Sequence, residues 1–244
     1  MTLNQKRMYS DLSWTWPIIS PPEHYVKETN IFSNIIQELC EAKRLLHIGC
    51  GGGHNDFTFK KYFKVTGVDI SKNMLVLAKK LNPEVNYQTG DMRTVRLEKQ
   101  FDAVAILDSI NYMTTELDLR KAFQTAFEHL KKGGVFITYV EERKEYFENR
   151  TRVSDHNKEK TNITFIENMY DPDPHDNSYE NTFVYIIRRN GKLSVETDLH
   201  ISGLFGLDTW KKLLNETGFE IKEIKFKPDS PNYLECPLLI CTKI

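Results

Sequence analysis

Four cysteines in 244 residues, at positions 40, 50, 236 and 241, form no C-x-x-C pair. That scatter excludes a disulfide framework and argues against a zinc site, leaving free or buried thiols in a reducing compartment. An excess of one charge is also missing. The 33 Lys and Arg stand against 34 Asp and Glu, a formal net charge of −1, so no strong field steers nucleic acid or an anionic membrane to the chain. No apolar run approaches the roughly eighteen residues of a membrane span, and the first thirty residues hold no basic-then-apolar leader. The expected location is cytoplasmic, with no membrane and no nucleic-acid partner. Internal repeats and low-complexity segments are absent. The length suits one large domain, or one domain with an insertion, able to bury a core without staples.

What is present centres on residues 45–54. Leu45, Leu46 and Ile48 read as a buried strand that stops at Gly49. Gly49, Gly51 and Gly53 follow at alternate positions, with Gly52 between. Such a loop bends sharply and lets a ligand lie against backbone N–H groups. A helix over Asn55–Phe63 would then aim free N–H groups at an anionic ligand. One glycine is missing: a dinucleotide fingerprint G-x-G-x-x-G needs it at position 54, where His54 stands. The spacing is G-x-G-x-G. Asp69 ends the next apolar strand, Val65–Val68, where an acid would hold a ribose hydroxyl pair.

The remaining pattern is that of a layered α/β chain. Residues 1–30 form an arm rich in aromatics (Tyr9, Trp14, Trp16, Tyr25) around Pro17, Pro21 and Pro22. A helix is expected at about 24–43, and another from an N-cap at Ser71, carrying Met74 and ending before Pro83. Val85–Gln88 reads as a third strand, leading into Gly90-Asp91-Met92. Phe101–Leu107 reads as a fourth, apolar throughout and therefore covered on both faces. It leads into Asp108, Asn111 and Tyr112, at the edge where ligands sit in such sheets. A helix over about 115–131, stopped by Lys131-Lys132-Gly133-Gly134, precedes the strand Val135–Val140. Residues 141–160 read as charged loop or helix. From about 160 to 202 the pattern becomes antiparallel, with a hairpin turn at Asn190-Gly191. A helix at 207–217 and strands at Phe219–Phe226 and Leu238–Thr242 close the chain. The fold class is α/β: a Rossmann-like doubly wound sheet, mainly parallel with an antiparallel C-terminal strand, plus an inserted antiparallel β unit. As domains, this is a single unit over 1–244, with the arm at 1–30 and a substrate-side lid at about 160–202.

These motifs resemble the class I S-adenosylmethionine-dependent methyltransferases, whose first motif is an apolar strand with an acid, then G-x-G-x-G. The usual acid is His47 here. The resemblance implies a cofactor site of Gly49, Cys50, Gly51 and Gly53 in the loop, Asp69 on the ribose, and Ile70 and Met74 beyond it. It also implies Asp91 on the adenine amino group with Met92 against the ring, Leu107 at the fourth strand end, and Tyr9 in an arm that folds over the ligand. Aromatic faces in such an arm suit a sulfonium cation. Five stretches, Tyr9-Ser-Asp-Leu, Gln88-Thr-Gly-Asp-Met-Arg93, Asp108-Ser-Ile-Asn-Tyr112, Glu128-His-Leu130 and His200-Ile-Ser-Gly-Leu-Phe205, look like the sugar N,N-dimethyltransferases of macrolide deoxysugar pathways. Where those enzymes carry an arm tyrosine, this chain offers Trp14 or Trp16.

The implied reaction is in-line methyl transfer from S-adenosylmethionine to a small-molecule acceptor, leaving S-adenosylhomocysteine. The acceptor could be an amine of a sugar-like compound. No metal is called for, and positioning and desolvation do most of the work. An amine must be neutral to attack, so Tyr112, His200 and Asp108 are the candidate catalytic residues. The expected assembly is a monomer or homodimer. Two alternatives remain: a nicotinamide-dependent oxidoreductase, and a non-catalytic methyltransferase-like binding module.

Overall fold

A computed structural model describes residues 6–227 and 235–244; the first five residues of the expected arm lie outside it. The arm makes 3-10 turns at Arg7–Tyr9 and Ser13–Thr15, a one-turn helix α1 (Trp16–Ile19) and a further 3-10 turn at Pro22–Tyr25. That last turn runs into α2 (Val26–Cys40), which ends where Glu41 takes a left-handed conformation (φ 42°). Then follow β1 (Arg44–Ile48), α3 (Asp56–Phe59), β2 (Lys64–Asp69), α4 (Lys72–Leu81), β3 (Asn86–Thr89) and β4 (Phe101–Ala105). Next come α5 (Glu116–His129), β5 (Leu130–Tyr139), β6 (Arg150–Lys158), β7 (Thr161–Tyr170), β8 (Ser178–Arg189) and β9 (Lys192–Gly203). The chain closes with α6 (Leu207–Thr217), β10 (Phe219–Phe226) and β11 (Cys236–Lys243).

Seven strands form one sheet in the order β10-β11-β5-β4-β1-β2-β3, parallel except for β11, which runs antiparallel between β5 and β10. The alternation along its strands explains the two layers. Leu45, Ala103, Ala105 and Ile137 face α2 through Phe32 and Ile36. Leu46, Val104 and Phe136 face the other way, onto Phe123 of α5 and Trp210 and Leu213 of α6. Fully burying each large side chain contributes about 1.5–3 kcal/mol, and both layers converge on β1 and β4. The strand order reverses between those two strands, which is where ligands bind in such sheets.

Four expectations are corrected. The helix expected over Asn55–Phe63 is only α3, a single turn. The Lys131–Gly134 stretch does not stop α5; it lies within β5, which starts at Leu130. The register slips there from Phe101↔Leu130 to Ala103↔Val135, with Gly133 at φ 75° taking up the extra residues. The 141–160 segment is loop with a 3-10 turn at Lys144–Tyr146 only as far as residue 149. Arg150–Lys158 is β6, a polar edge strand whose charges obscure its alternation in the sequence. The antiparallel unit therefore starts at Arg150, not near 160. It is a second sheet, in the order β6-β7-β8-β9.

The expected caps are present. Ser71 Oγ accepts the Met74 N–H at 3.1 Å, Gly218 closes α6 at φ 105°, and Asn190 and Gly191 turn the β8–β9 hairpin with φ of 51° and 78°. The inner face of the second sheet (Ile163, Phe165, Phe183, Tyr185) packs on Met8, Leu12 and Ile19 of the arm and on Met74 of α4. The arm is thus held between the insertion and the main sheet. No described helix is long and apolar enough to cross a membrane.

Candidate active site

One cavity of about 720 Å³ lies over the carboxyl edge of the main sheet, between it and the insertion. Its floor is the loop after β1. The Gly49 and Cys50 N–H groups both donate to the Val68 carbonyl, at 2.7 and 3.0 Å, tying the loop to β2. A side chain at Gly49 (φ 72°) would collide with the Ser109 hydroxyl, whereas Gly51 (φ 51°) faces open space, a cradle that any Cβ would begin to fill. Asp69 sits beside it, almost fully buried. Its Oδ2 accepts the Gly51 N–H at 2.7 Å and its Oδ1 the Ser71 N–H at 2.8 Å. Burial raises its pKa, and those two N–H groups oppose the rise.

A polar network under the loop accounts for the histidine where an acid is usual. His47 Nδ1 meets Asp56 Oδ1 at 2.7 Å, so the carboxylate comes from α3. Tyr87 Oη donates to Asp56 Oδ2 at 2.9 Å, and Asn82 Nδ2 donates to the Tyr87 hydroxyl at 3.0 Å and to the Gly53 carbonyl at 2.8 Å. Gly53 therefore belongs to the loop's support and does not line the cavity. Neither does Leu107, which is buried in the core between β4 and its neighbours. Cys50 does line it, with its thiol pushed well up by burial.

The rest of the donor side follows the strand ends. Ile70 lies exposed at the rim and Met74 lies buried within. Asp91 and Met92 line the cavity after β3. The Asp91 carboxylate is already engaged by Arg93, whose Nη2 donates to Oδ2 at 2.6 Å, and this pairing lowers its pKa. Over the loop, Trp16 stacks parallel to His54 at 6.3 Å between ring centroids, and Tyr25 lies 5.4 Å from the same ring. Burial keeps His54 neutral, with its pKa down to about 4.

On the other side, Asp108 accepts a hydrogen bond from the Tyr139 hydroxyl, and surrounding protein raises its pKa to about 6 against the opposing pull of His47. Tyr112 Oη lies 2.9 Å from Tyr9 Oη and 2.6 Å from His200 Nδ1. His200 Nε2 lies 2.7 Å from Asp198 Oδ2, which also accepts the Met8 N–H at 2.7 Å. With Nε2–H donating to Asp198, Nδ1 is left to accept the Tyr112 proton. His200 is fully buried behind Tyr112 and does not line the cavity; its hydrogen bond toward the cavity is to that hydroxyl. The arm aromatics that line it are Tyr9, Trp16 and Tyr25, so of the two expected tryptophans Trp16 is at the cavity; Trp14 points away, under the Arg189 guanidinium at 4.9 Å.

Sequence reasoning missed Asp198 behind His200, and in the cavity lining Glu141 and the inward row Arg152, Ser154 and His156 of β6. The only signal for that row is its alternation, with the odd-numbered residues between them more exposed. The assembled features match a donor that carries a ribose and a cation: a buried carboxylate beside the loop, an open glycine cradle, soft apolar side chains at Met92 and Met74, and aromatic faces from the arm.

Comparison with known proteins agrees with that geometry. A family model described as a methyltransferase domain matches residues 45–134. A protein of Geobacillus sp. (strain WCH70) named as a methyltransferase is 32% identical over 203 residues, 78% of this chain and 80% of the relative. The dTDP-3-amino-3,4,6-trideoxy-alpha-D-glucopyranose N,N-dimethyltransferase of Streptomyces venezuelae is 33% identical over 116 residues, covering 46% of this chain and 49% of that one. Among solved structures, Streptomyces venezuelae DesVI superposes with a TM-score of 0.83 at 22% identity, over 96% of both chains. With its fold, its donor cradle and a relative matched over four-fifths of its length all in agreement, the chain belongs to the class I S-adenosylmethionine-dependent methyltransferases.

Proposed function

We propose that the chain methylates the amino group of a small, sugar-like acceptor. One observation carries this reading. The cavity that contains the glycine loop and Asp69 is the same one that passes Asp108 and Tyr112 and continues under the second sheet, one continuous space with room for an acceptor beside the donor. The name of the Streptomyces venezuelae relative, an aminosugar N,N-dimethyltransferase, supports the choice of nitrogen.

When bound, S-adenosylmethionine supplies a methyl group already activated on a sulfonium. The chain's own residues do the rest. Asp69 holds the ribose hydroxyls, Asp91 the adenine amino group, and Met92 and Ile70 pack on the ring. Gly51 leaves room for backbone contact, and Tyr9 with the other arm aromatics covers the cation. Tyr112, fixed by His200 and Asp198, orients the acceptor, and Asp108 faces it from the end of β4. Holding both reactants in line is the main source of rate. The second sheet serves as the lid and the described part of the arm, residues 6–30, closes over the donor in one folded unit.

The test is an acceptor panel with S-adenosylmethionine, reading S-adenosylhomocysteine release. It contains aminohexoses, including 3-amino-3-deoxyglucose, their hydroxyl analogues and acidic carbon acceptors. Turnover of the amines above the others is expected. Turnover of hydroxyl or carbon acceptors alone would overturn the reading.

A further inference from the structure

Glu141 is a carboxylate in the cavity that the reading above leaves unused. It follows β5 by two residues, as Asp108 follows β4 by three, and these strands are parallel neighbours. Both acids therefore open onto the same part of the carboxyl edge, and both line the cavity. Among the described residues no hydrogen bond or ion pair engages the Glu141 carboxylate. Burial first, and then the charges of Asp108, Glu142 and Glu167, hold its pKa well above the ordinary range, with Arg152 opposing. Arg152 itself lies 3.3 Å from Glu167, and Arg150 is paired to Glu142. Tyr179 faces the same acids from β8, and Cys236 faces them from β11.

Two further observations bear on the charge of the guest this part of the cavity suits. Asn181, more than nine-tenths buried, lines the cavity, and its Oδ1 has no donor. Nearby, the Lys6 ammonium lies 3.7 Å from the centroid of the Tyr112 ring. One cation of the chain itself therefore rests on the ring that faces the acceptor space. A half-buried carboxylate that no hydrogen bond or ion pair among the described residues engages, a buried amide oxygen with no donor and a ring that already attracts an ammonium all suit a cationic guest.

We infer that Glu141, with Asp108, forms the acceptor's ammonium site: the pair selects a protonated amine and takes the proton that must leave before attack. This rests on the amine reading proposed above. The ammonium gives one proton to the carboxylate pair. The freed lone pair forms the N–C bond as the C–S bond breaks and its electrons remain on sulfur. The product is a methylated ammonium, and the carboxylate pair returns its proton to solvent. Atoms and charge balance without any further reactant.

The experiment uses the full chain saturated with S-adenosylhomocysteine, with 3-amino-3-deoxyglucose and glucose as calorimetric probes. Wild type should prefer the amine. Glu141→Gln should lose at least about tenfold of that preference, the scale of one charged hydrogen bond, while its affinities for S-adenosylhomocysteine and for glucose stay unchanged. The acid limb of kcat/KM for the amine should also move in that variant. Glu141→Asp should retain part of the preference, and Asn181→Ala should lower it with the carboxylates intact, so a poorly folding Glu141→Gln would not end the test. An undiminished amine preference in the Glu141 and Asn181 variants would overturn the assignment. Absence of any preference in wild type would overturn the amine reading itself, and that result appears before any variant is made.

Discussion

The two halves of the cavity are built in different ways. The donor half is made from consecutive strand ends: Gly49–Gly53 after β1, Asp69 at the end of β2, Asp91 after β3. Each lies within a few residues of its strand, and each is held by backbone. Asp69 bonds two N–H groups, and the loop N–H groups bond β2. The acceptor half is made from elements far apart in the chain. Tyr9, Tyr112 and His200 meet through contacts that span 103 and 88 residues. Backbone contacts fix a site that side-chain substitution disturbs only locally. A relay of side chains depends on every member's placement, so the two halves should respond differently to the same kind of change.

The largest effect is expected on the donor side. Asp69→Ala should weaken S-adenosylmethionine and S-adenosylhomocysteine alike by about 1.5–3 kcal/mol, roughly 10–150-fold in Kd, as two hydroxyls lose a charged acceptor. Calorimetry with each ligand measures this. Wild-type affinity in the variant would remove Asp69 from the ribose and break the division between the halves.

A smaller effect, confined to turnover, is expected on the other side. Tyr112→Phe should lower kcat by about tenfold with donor affinity unchanged, because a phenol whose pKa burial raises orients the acceptor and is not ionised as a base. His200→Ala and Asp198→Asn should lower kcat in the same direction without adding to the Tyr112→Phe loss, since both act through that hydroxyl. Additive losses in the double variants would show that the relay is not one unit.

The smallest effect is on stability. Asp108 has a folded pKa of about 6, raised above the unfolded carboxylate, so between about pH 4 and 6 the native state binds the extra proton. Its contribution is most favourable below that window and is lost as pH rises through it. Asp108→Asn should therefore raise Tm slightly at pH 7–8 and change it less near pH 4, because solvent at this exposed residue screens the effect. Equal shifts at both pH values would place the cost elsewhere.

Legibility in the sequence follows the same division. The strand–glycine loop, Ser71 as a cap, α6 with Gly218 and the Asn190-Gly191 hairpin are decided by residues close in sequence, and each appears where the pattern puts it. β6 was hidden because an edge strand carrying Arg150, Arg152 and Lys158 has a polar pattern on both faces. Helix α3 is one turn long because Asp56 and Phe59 are drawn beneath the loop, onto His47 and the core. That is a tertiary demand outside the local window.

By itself the sequence determined the α/β class, the order of the elements and the donor motif, because periodicity, capping and glycine spacing act over a few residues. Tertiary structure alone decided that His200 stands behind Tyr112 and outside the cavity, that Asp56 of α3 pairs with His47 beneath the loop, and that Glu141 opens beside Asp108. These outcomes depend on which distant side chains share a buried, low-dielectric space, where charge and hydrogen bonding act across the fold and leave no periodic trace along the chain.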